Sequence, residues 1–138
     1  MSTQKRKKKN MVTEVTSGIK VSVETFYVPE QSVPKAKRFV FAYRITIENR
    51  SEHSIQLLRR HWYIFDSKGF TNEVDGEGVL GEQPALEPGQ KYSYVSGCHL
   101  QSEAGTMKGY YTMVRNDNHK KFKVTIPEFQ MIVPYKLN

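Results

Sequence analysis

The chain has 138 residues, 38% of them hydrophobic, with eight Tyr, seven Phe and one Trp, which suits a single domain with a self-sufficient core. Its net charge of +7 is uneven: Lys5, Arg6, Lys7, Lys8 and Lys9 form a run with no acid beside it, and the other 16 basic residues nearly balance 14 acidic ones. No apolar run is long enough to span a bilayer, no apolar stretch follows the basic start as a secretory signal requires, and the single cysteine, Cys98, excludes an intrachain disulfide.

A cytoplasmic protein without membrane association is expected. Residues 1–12 read as a basic, flexible tail and 13–138 as one domain, because the run holds no apolar anchor and its charges repel. Such a run fits a nonspecific nucleic-acid contact, an import signal, or an extension upstream of Met11, which itself begins a plausible chain.

Residues 19–28 begin with alternating apolar and polar side chains, the pattern of a half-buried strand. Pro29 and Pro34 bracket a loop. Residues 38–49 alternate more strictly: Phe39, Phe41, Tyr43, Ile45 and Ile47 share one face, with Arg38, Arg44 and Glu48 on the other. After a polar turn at 49–54, residues 55–66 form an aromatic-rich third strand that ends at Asp66-Ser67-Lys68-Gly69. A long loop over 72–89 follows, preceded by a short strand around Phe70 to Val74. Residues 90–98, 107–114, 121–126 and 129–133 read as four more strands, the last two separated by Pro127.

No segment carries a helical stripe. Seven or eight short strands with regular turn signals predict an all-β fold: an antiparallel β-sandwich, immunoglobulin- or fibronectin type III-like, with no intrachain disulfide. Trp62, the only Trp, lies on the third predicted strand, where such sandwiches commonly bury a Trp against the opposite sheet. Tyr110 or Tyr111 could supply a tyrosine corner.

Gly76-Glu77-Gly78-Val79-Leu80-Gly81 matches G-x-G-x-x-G, yet its surroundings argue against a dinucleotide site. That site needs a helix after the glycines to hold the pyrophosphate, and Pro84 and Pro88 fall where it would run. Glu73, Asp75, Glu77, Glu82 and Glu87 would repel a phosphate, and no acid lies near Ser96, where a ribose-binding carboxylate belongs. A surface loop with specialised backbone angles explains the glycines better.

Other candidate chemistry is thin. Cys98 and His99 are adjacent, so on a strand they point to opposite faces and cannot form a nucleophile–base pair. On an extended strand Glu73, Asp75 and Glu77 would lie about 7 Å apart, too far to grip one cation at about 2.0–2.6 Å. A folded loop could gather them, but the histidines show no metal-ligand spacing, and neither a metal nor a cofactor is expected. Lys108-Gly109-Tyr110 opens like an RNA-recognition motif, but Tyr111 replaces the required small residue. By alternation Arg59 and His61 face away from Trp62, while Arg60 shares its side. Arg60 either packs its stem with its head in water, or forms an anion or partner site with the acidic loop.

Residues 57–114 resemble the ApaG family. The matching residues are Arg59-Arg60-His61-Trp62-Tyr63-Ile64, Asp66, Gly69, the run from Glu73 to Pro84, Leu86 and Pro88-Gly89. They continue with Tyr94, Ser96-Gly97, Leu100, Gly105, Met107, Gly109, Tyr111 and Met113. Val21 to Tyr27 and Tyr43-Arg44-Ile45-Thr46-Ile47 also fit, so the resemblance covers nearly everything from Met11 to Pro134. Ser102-Glu103 departs from the family's more frequent Thr-Pro, which should affect a loop only.

The resemblance implies a fibronectin-III-like sandwich. It links the chain to small standalone bacterial proteins associated with cobalt and magnesium tolerance and, by gene neighbourhood, with a diadenosine-tetraphosphate hydrolase. Related domains in F-box proteins and in a polymerase-interacting protein are expected to bind other proteins. The function expected is therefore that of a non-enzymatic binding or adaptor protein, monomeric or homodimeric, with an unknown protein partner and no specific nucleic acid. Its partner surface is expected to include Glu73, Asp75, Gly76, Glu77, Gly78, Gly81, Glu82, Gln83 and Pro84, with Arg59, Arg60 and His61 as anion or partner contacts. The alternative is a protein of divalent-cation homeostasis or a sensor of phosphorylated nucleotides.

Overall fold

The computed structural model describes residues 11–137; residues 1–10, most of the expected basic tail, lie outside the described residues. Nine strands follow in order: β1 Met11–Thr16, β2 Ile19–Tyr27, β3 Phe39–Asn49, β4 Ile55–Asp66, β5 Phe70–Glu77, β6 Ala85–Leu86, β7 Lys91–Leu100, β8 Ala104–Arg115 and β9 Lys121–Ile132. Short 3₁₀ turns occupy Pro29–Gln31, Pro34–Ala36 and Pro134–Leu137. One sheet has the order β1-β2-β3-β7 and the other β5-β4-β8-β9, with β6 added to the β5 edge of β4. All the pairings are antiparallel, so the predicted β-sandwich is the fold.

The core follows from the alternation. Phe39, Phe41, Tyr43, Ile45 and Ile47 are all buried, as are Ile19, Val21 and Val23 of β2. The facing sheet contributes Trp62, Met107, Tyr111, Met113, Val124, Ile126, Phe129 and Met131. Trp62 is 3% exposed and packs edge-on against Tyr43 of the opposite sheet, with ring centroids 5.6 Å apart. Tyr111 is fully buried, but it makes no tyrosine corner: its hydroxyl meets that of Tyr94, across the sandwich, at 2.5 Å.

Four strand boundaries differ from expectation, each for a physical reason. β1 begins at Met11, inside the stretch assigned to the tail, and has no apolar alternation because most of its side chains are exposed at a sheet edge. β5 extends to Glu77, so the first part of the expected loop is strand. β6 is only two residues long, too short to show any period. β9 runs straight through Pro127, because a bulge between Met107 and Gly109 places Pro127 where the ladder is already interrupted.

Asn49 and Asp66 are the buried polar residues among those described. Asn49 Nδ2 donates to the carbonyls of His53 and Leu86, tying β3 to the turn before β4 and to β6. Asp66 accepts from the backbone N–H groups of Gln101 at 2.6 Å and Lys68 at 3.0 Å, and from the Ser102 hydroxyl. Burial would raise its pKa, but these bonds outweigh burial and hold its carboxyl below the ordinary value. Ser102 is therefore more than a variable loop position.

Candidate functional site

The site is built on β4, whose alternation divides its residues between two faces. A register shift between Leu57 and Arg59 makes Leu58 an extra residue opposite β8. Its carbonyl, freed from the ladder, accepts the Gly78 N–H at 2.8 Å and Gln83 Nε2 at 3.0 Å. The Leu57 N–H donates to Pro84 O, and Gln56 Nε2 to Gln83 O. The β5–β6 connection is thus pinned at both ends to the bulge.

Within it, Val79 and Glu82 exchange backbone hydrogen bonds of 2.8 and 2.9 Å around Leu80 and Gly81, which have φ of 49° and 79°. Gly78 has φ of 62°, and a Cβ there would overlap the Glu82 carbonyl oxygen. Gly76 is different. Its φ is ordinary, and a Cβ would press within 2.8–3.0 Å on the Arg60 guanidinium. No helix follows the three glycines; the connection leads into β6. The nucleotide-fingerprint geometry is not formed.

Arg60 points inward with Trp62, as the alternation predicts, but its head is not simply in water. Nη1 donates to the carbonyls of Glu77 and Gly78, both at 3.0 Å, and the guanidinium lies on Gly76. Arg60 lines a cavity of about 220 Å³ together with Tyr43, Trp62, Glu77, Tyr94 and Ser96, roofed by Val79, Leu80 and Gly81. The cavity lies between β5 and β7, the end strands of the two sheets. Burial raises the phenol pKa of Tyr43, Tyr94 and Tyr111, and the Arg60 charge acts on all three in the opposite direction.

Arg59 and His61 face the other way, with the carboxylates of β5. Arg59 Nη2 lies 3.3 Å from Asp75. His61 Nε2 lies 2.6 Å from Glu73 Oε2, with Nδ1 3.9 Å from Asp75. The imidazole stacks on Tyr110 at 5.0 Å and 5°, and Lys123 Nζ sits 4.4 Å from the Tyr110 ring centre. Glu73, Asp75 and Glu77 do lie along an extended strand. Among the described residues no group of three His, Cys, Asp or Glu side chains could hold a metal ion. Cys98 and His99 diverge as expected, and burial pushes the Cys98 thiol up to about 11, leaving almost no thiolate at neutral pH.

The structure therefore splits the expected site. Arg60, Gly76, Glu77, Gly78 and Gly81 gather at the cavity, with Gln83 and Pro84 holding the connection in place. Arg59, His61, Glu73 and Asp75 form a separate cluster on the outer face. Glu82 contributes through its backbone pairing with Val79. Tyr43, Tyr94 and Ser96 are cavity residues that spacing does not reveal, because they come from the opposite sheet.

Fold and site together define a small all-β sandwich with a polar notch between its sheets, roofed by a pinned glycine-rich connection. The chain belongs to the ApaG domain family, whose pattern matches residues 29–115. It is 50% identical over 128 residues to a protein named ApaG from Nitrosomonas europaea, covering 93% of this chain and 100% of that one. A protein of the same name from Brucella anthropi is 48% identical over 124 residues, 90% of this chain and 95% of its own length. A crystal structure from Bordetella pertussis, described as an ApaA protein, superposes with a TM-score of 0.81 at 43% identity and covers 88% of this chain and 95% of that one. The C-terminal domain of wzt, at a TM-score of 0.51 and 8% identity, covers 88% of this chain and 77% of that one and shares the fold alone. No helix among the described residues is long and apolar enough to cross a membrane.

Proposed function

We propose that this ApaG-family chain is a non-enzymatic binding or adaptor protein whose partner surface is centred on the stretch 72–89. One observation carries the reading. Leu80, an apolar side chain 61% exposed, is held at φ of 49° at the tip of a connection pinned by Leu58 O. A left-handed non-glycine backbone costs about 1–3 kcal/mol, and an exposed leucine there returns no core packing. A contact made with another molecule accounts for both. Rigid loops on a sandwich edge are a common place for such contacts.

A photo-crosslinking residue at position 80 is expected to capture a discrete protein partner in native lysate, and Leu80→Asp to abolish capture by a crosslinker at Gly81. A crosslinker at Lys120, between β8 and β9, serves as the control. Equal capture at positions 80 and 120, or full capture by Leu80→Asp, would sink the proposal. Calorimetric titration with cobalt, magnesium and diadenosine tetraphosphate separates it from the cation- or nucleotide-responsive alternative.

A further inference from the structure

The Arg60 guanidinium is partly withdrawn from water, and its charge is matched by carbonyl dipoles and not by an ion. Among the described residues no carboxylate lies within 4.0 Å of it. Among the described residues only Nη1 has hydrogen-bond acceptors, the carbonyls of Glu77 and Gly78. Nε and Nη2 are left over, and these two N–H groups lie parallel, the fork that accepts both oxygens of a carboxylate. The head is also fixed in place, by two carbonyls and by a glycine that leaves room for it. A positioned donor pair loses less freedom on binding than a mobile one.

We propose that the cavity between β5 and β7 is a seat for one carboxylate, gripped by the free edge of Arg60 with the hydroxyls of Ser96 and Tyr43 beside it. The proposal rests on reading the stretch 72–89 as a binding surface. Cavity size and charge select the ligand class. About 220 Å³ admits an acidic side chain or a small organic acid. By the alternation of β5, Glu77 turns its carboxylate to the outer face with Glu73 and Asp75 and lines the cavity through its backbone; a single carboxylate is balanced by the one guanidinium, whereas a multiply charged phosphate is not. Tyr43 and Ser96 both line the cavity, which places two neutral hydroxyl side chains at the wall. A partner's Asp or Glu side chain and a free organic acid offer the same group.

Trp62 lines the cavity and is the only Trp, so its fluorescence reports occupancy. The full chain is titrated with propionate, with an end-blocked peptide whose one charged residue is a Glu, and with inorganic phosphate. A saturable change with propionate or with the Glu peptide is expected, and the tighter of the two identifies the source. Arg60→Met should weaken it by about tenfold or more, and Arg60→Lys, which keeps the charge but loses the fork, by less. Should Arg60→Met fail to fold, Ser96→Ala should weaken binding several-fold, with the far-ultraviolet spectrum unchanged. No saturable change in the wild type, binding that survives Arg60→Met in a folded protein, no response to Ser96→Ala, or phosphate binding tighter than both carboxylates would overturn the seat. Loss of the seat with crosslinking at position 80 intact would leave the adaptor reading standing.

Discussion

Arg59 and Arg60 are neighbours in the chain and occupy different electrostatic worlds. Arg59, on the outer face of β4, sits 3.3 Å from the Asp75 carboxylate and is about half exposed. Arg60, on the inner face, touches two carbonyls and a glycine and has no carboxylate partner among the described residues. The outer face pairs its polar groups with one another: Glu73 with His61, Asp75 with Arg59 and His61. The inner face is organised by packing, and Arg60 there has no ionic partner among the described residues. Internally paired charges in water contribute little and are replaceable. A lone charge partly shielded from water is costly to keep, which makes it the better marker of binding.

If the inner face is where the energy lies, its substitutions should dominate. Trp62→Ala should cost about 3–5 kcal/mol, as truncation of a buried aromatic does, read as a lower midpoint in urea denaturation. A native emission spectrum typical of water-exposed indole would break the comparison at its root. Gly78→Val tests the roof. It adds a clash with the Glu82 carbonyl to an unfavourable φ of 62° and should cost about 2–3 kcal/mol, whereas Gly76→Val, which keeps an ordinary φ and meets a side chain and no backbone, should cost less.

Asp66 tests the far end of the inner face through pH. Its folded pKa is held below the unfolded value by hydrogen bonds that prevail over burial. Its contribution is therefore complete above the unfolded value, near 4, and is lost as pH falls through the folded one. Asp66→Asn should cost about 1–2 kcal/mol at neutral pH and flatten the acid limb of the stability profile. An unchanged acid limb would count against this assignment. Smallest of all, Arg59→Ala on the outer face should change stability by under about 1 kcal/mol, with the difference shrinking as salt is raised.

The contrast also marks how much was readable from the residues. The core was legible because a half-buried strand writes its burial in alternate positions, and β3 does so from Phe39 to Ile47. The opposed directions of Arg60 and His61 were legible for the same reason. The bulge at Leu58 was not: one extra residue shifts the register without leaving a mark in composition. Reading 72–89 as loop failed over its first third because Asp75 and Gly76 are poor strand formers, kept in β5 by pairing with His61 and Arg60. The cavity was hidden for a different reason. Tyr43, Tyr94 and Ser96 reach it across the sandwich from β3 and β7, and distance along the chain carries no trace of that meeting.

The carboxylates on β5 have one more consequence, for solubility. β5 ends its sheet, and a strand with a free side is a template on which another copy can stack into an aggregate. Glu73, Asp75 and Glu77 place a negative charge on every second residue along it. Two copies meeting side by side there would bring like charges together, while Arg59 on β4, which pairs with Asp75, would already be taken. The residues that look at first like a metal cage can thus serve as a guard against self-association.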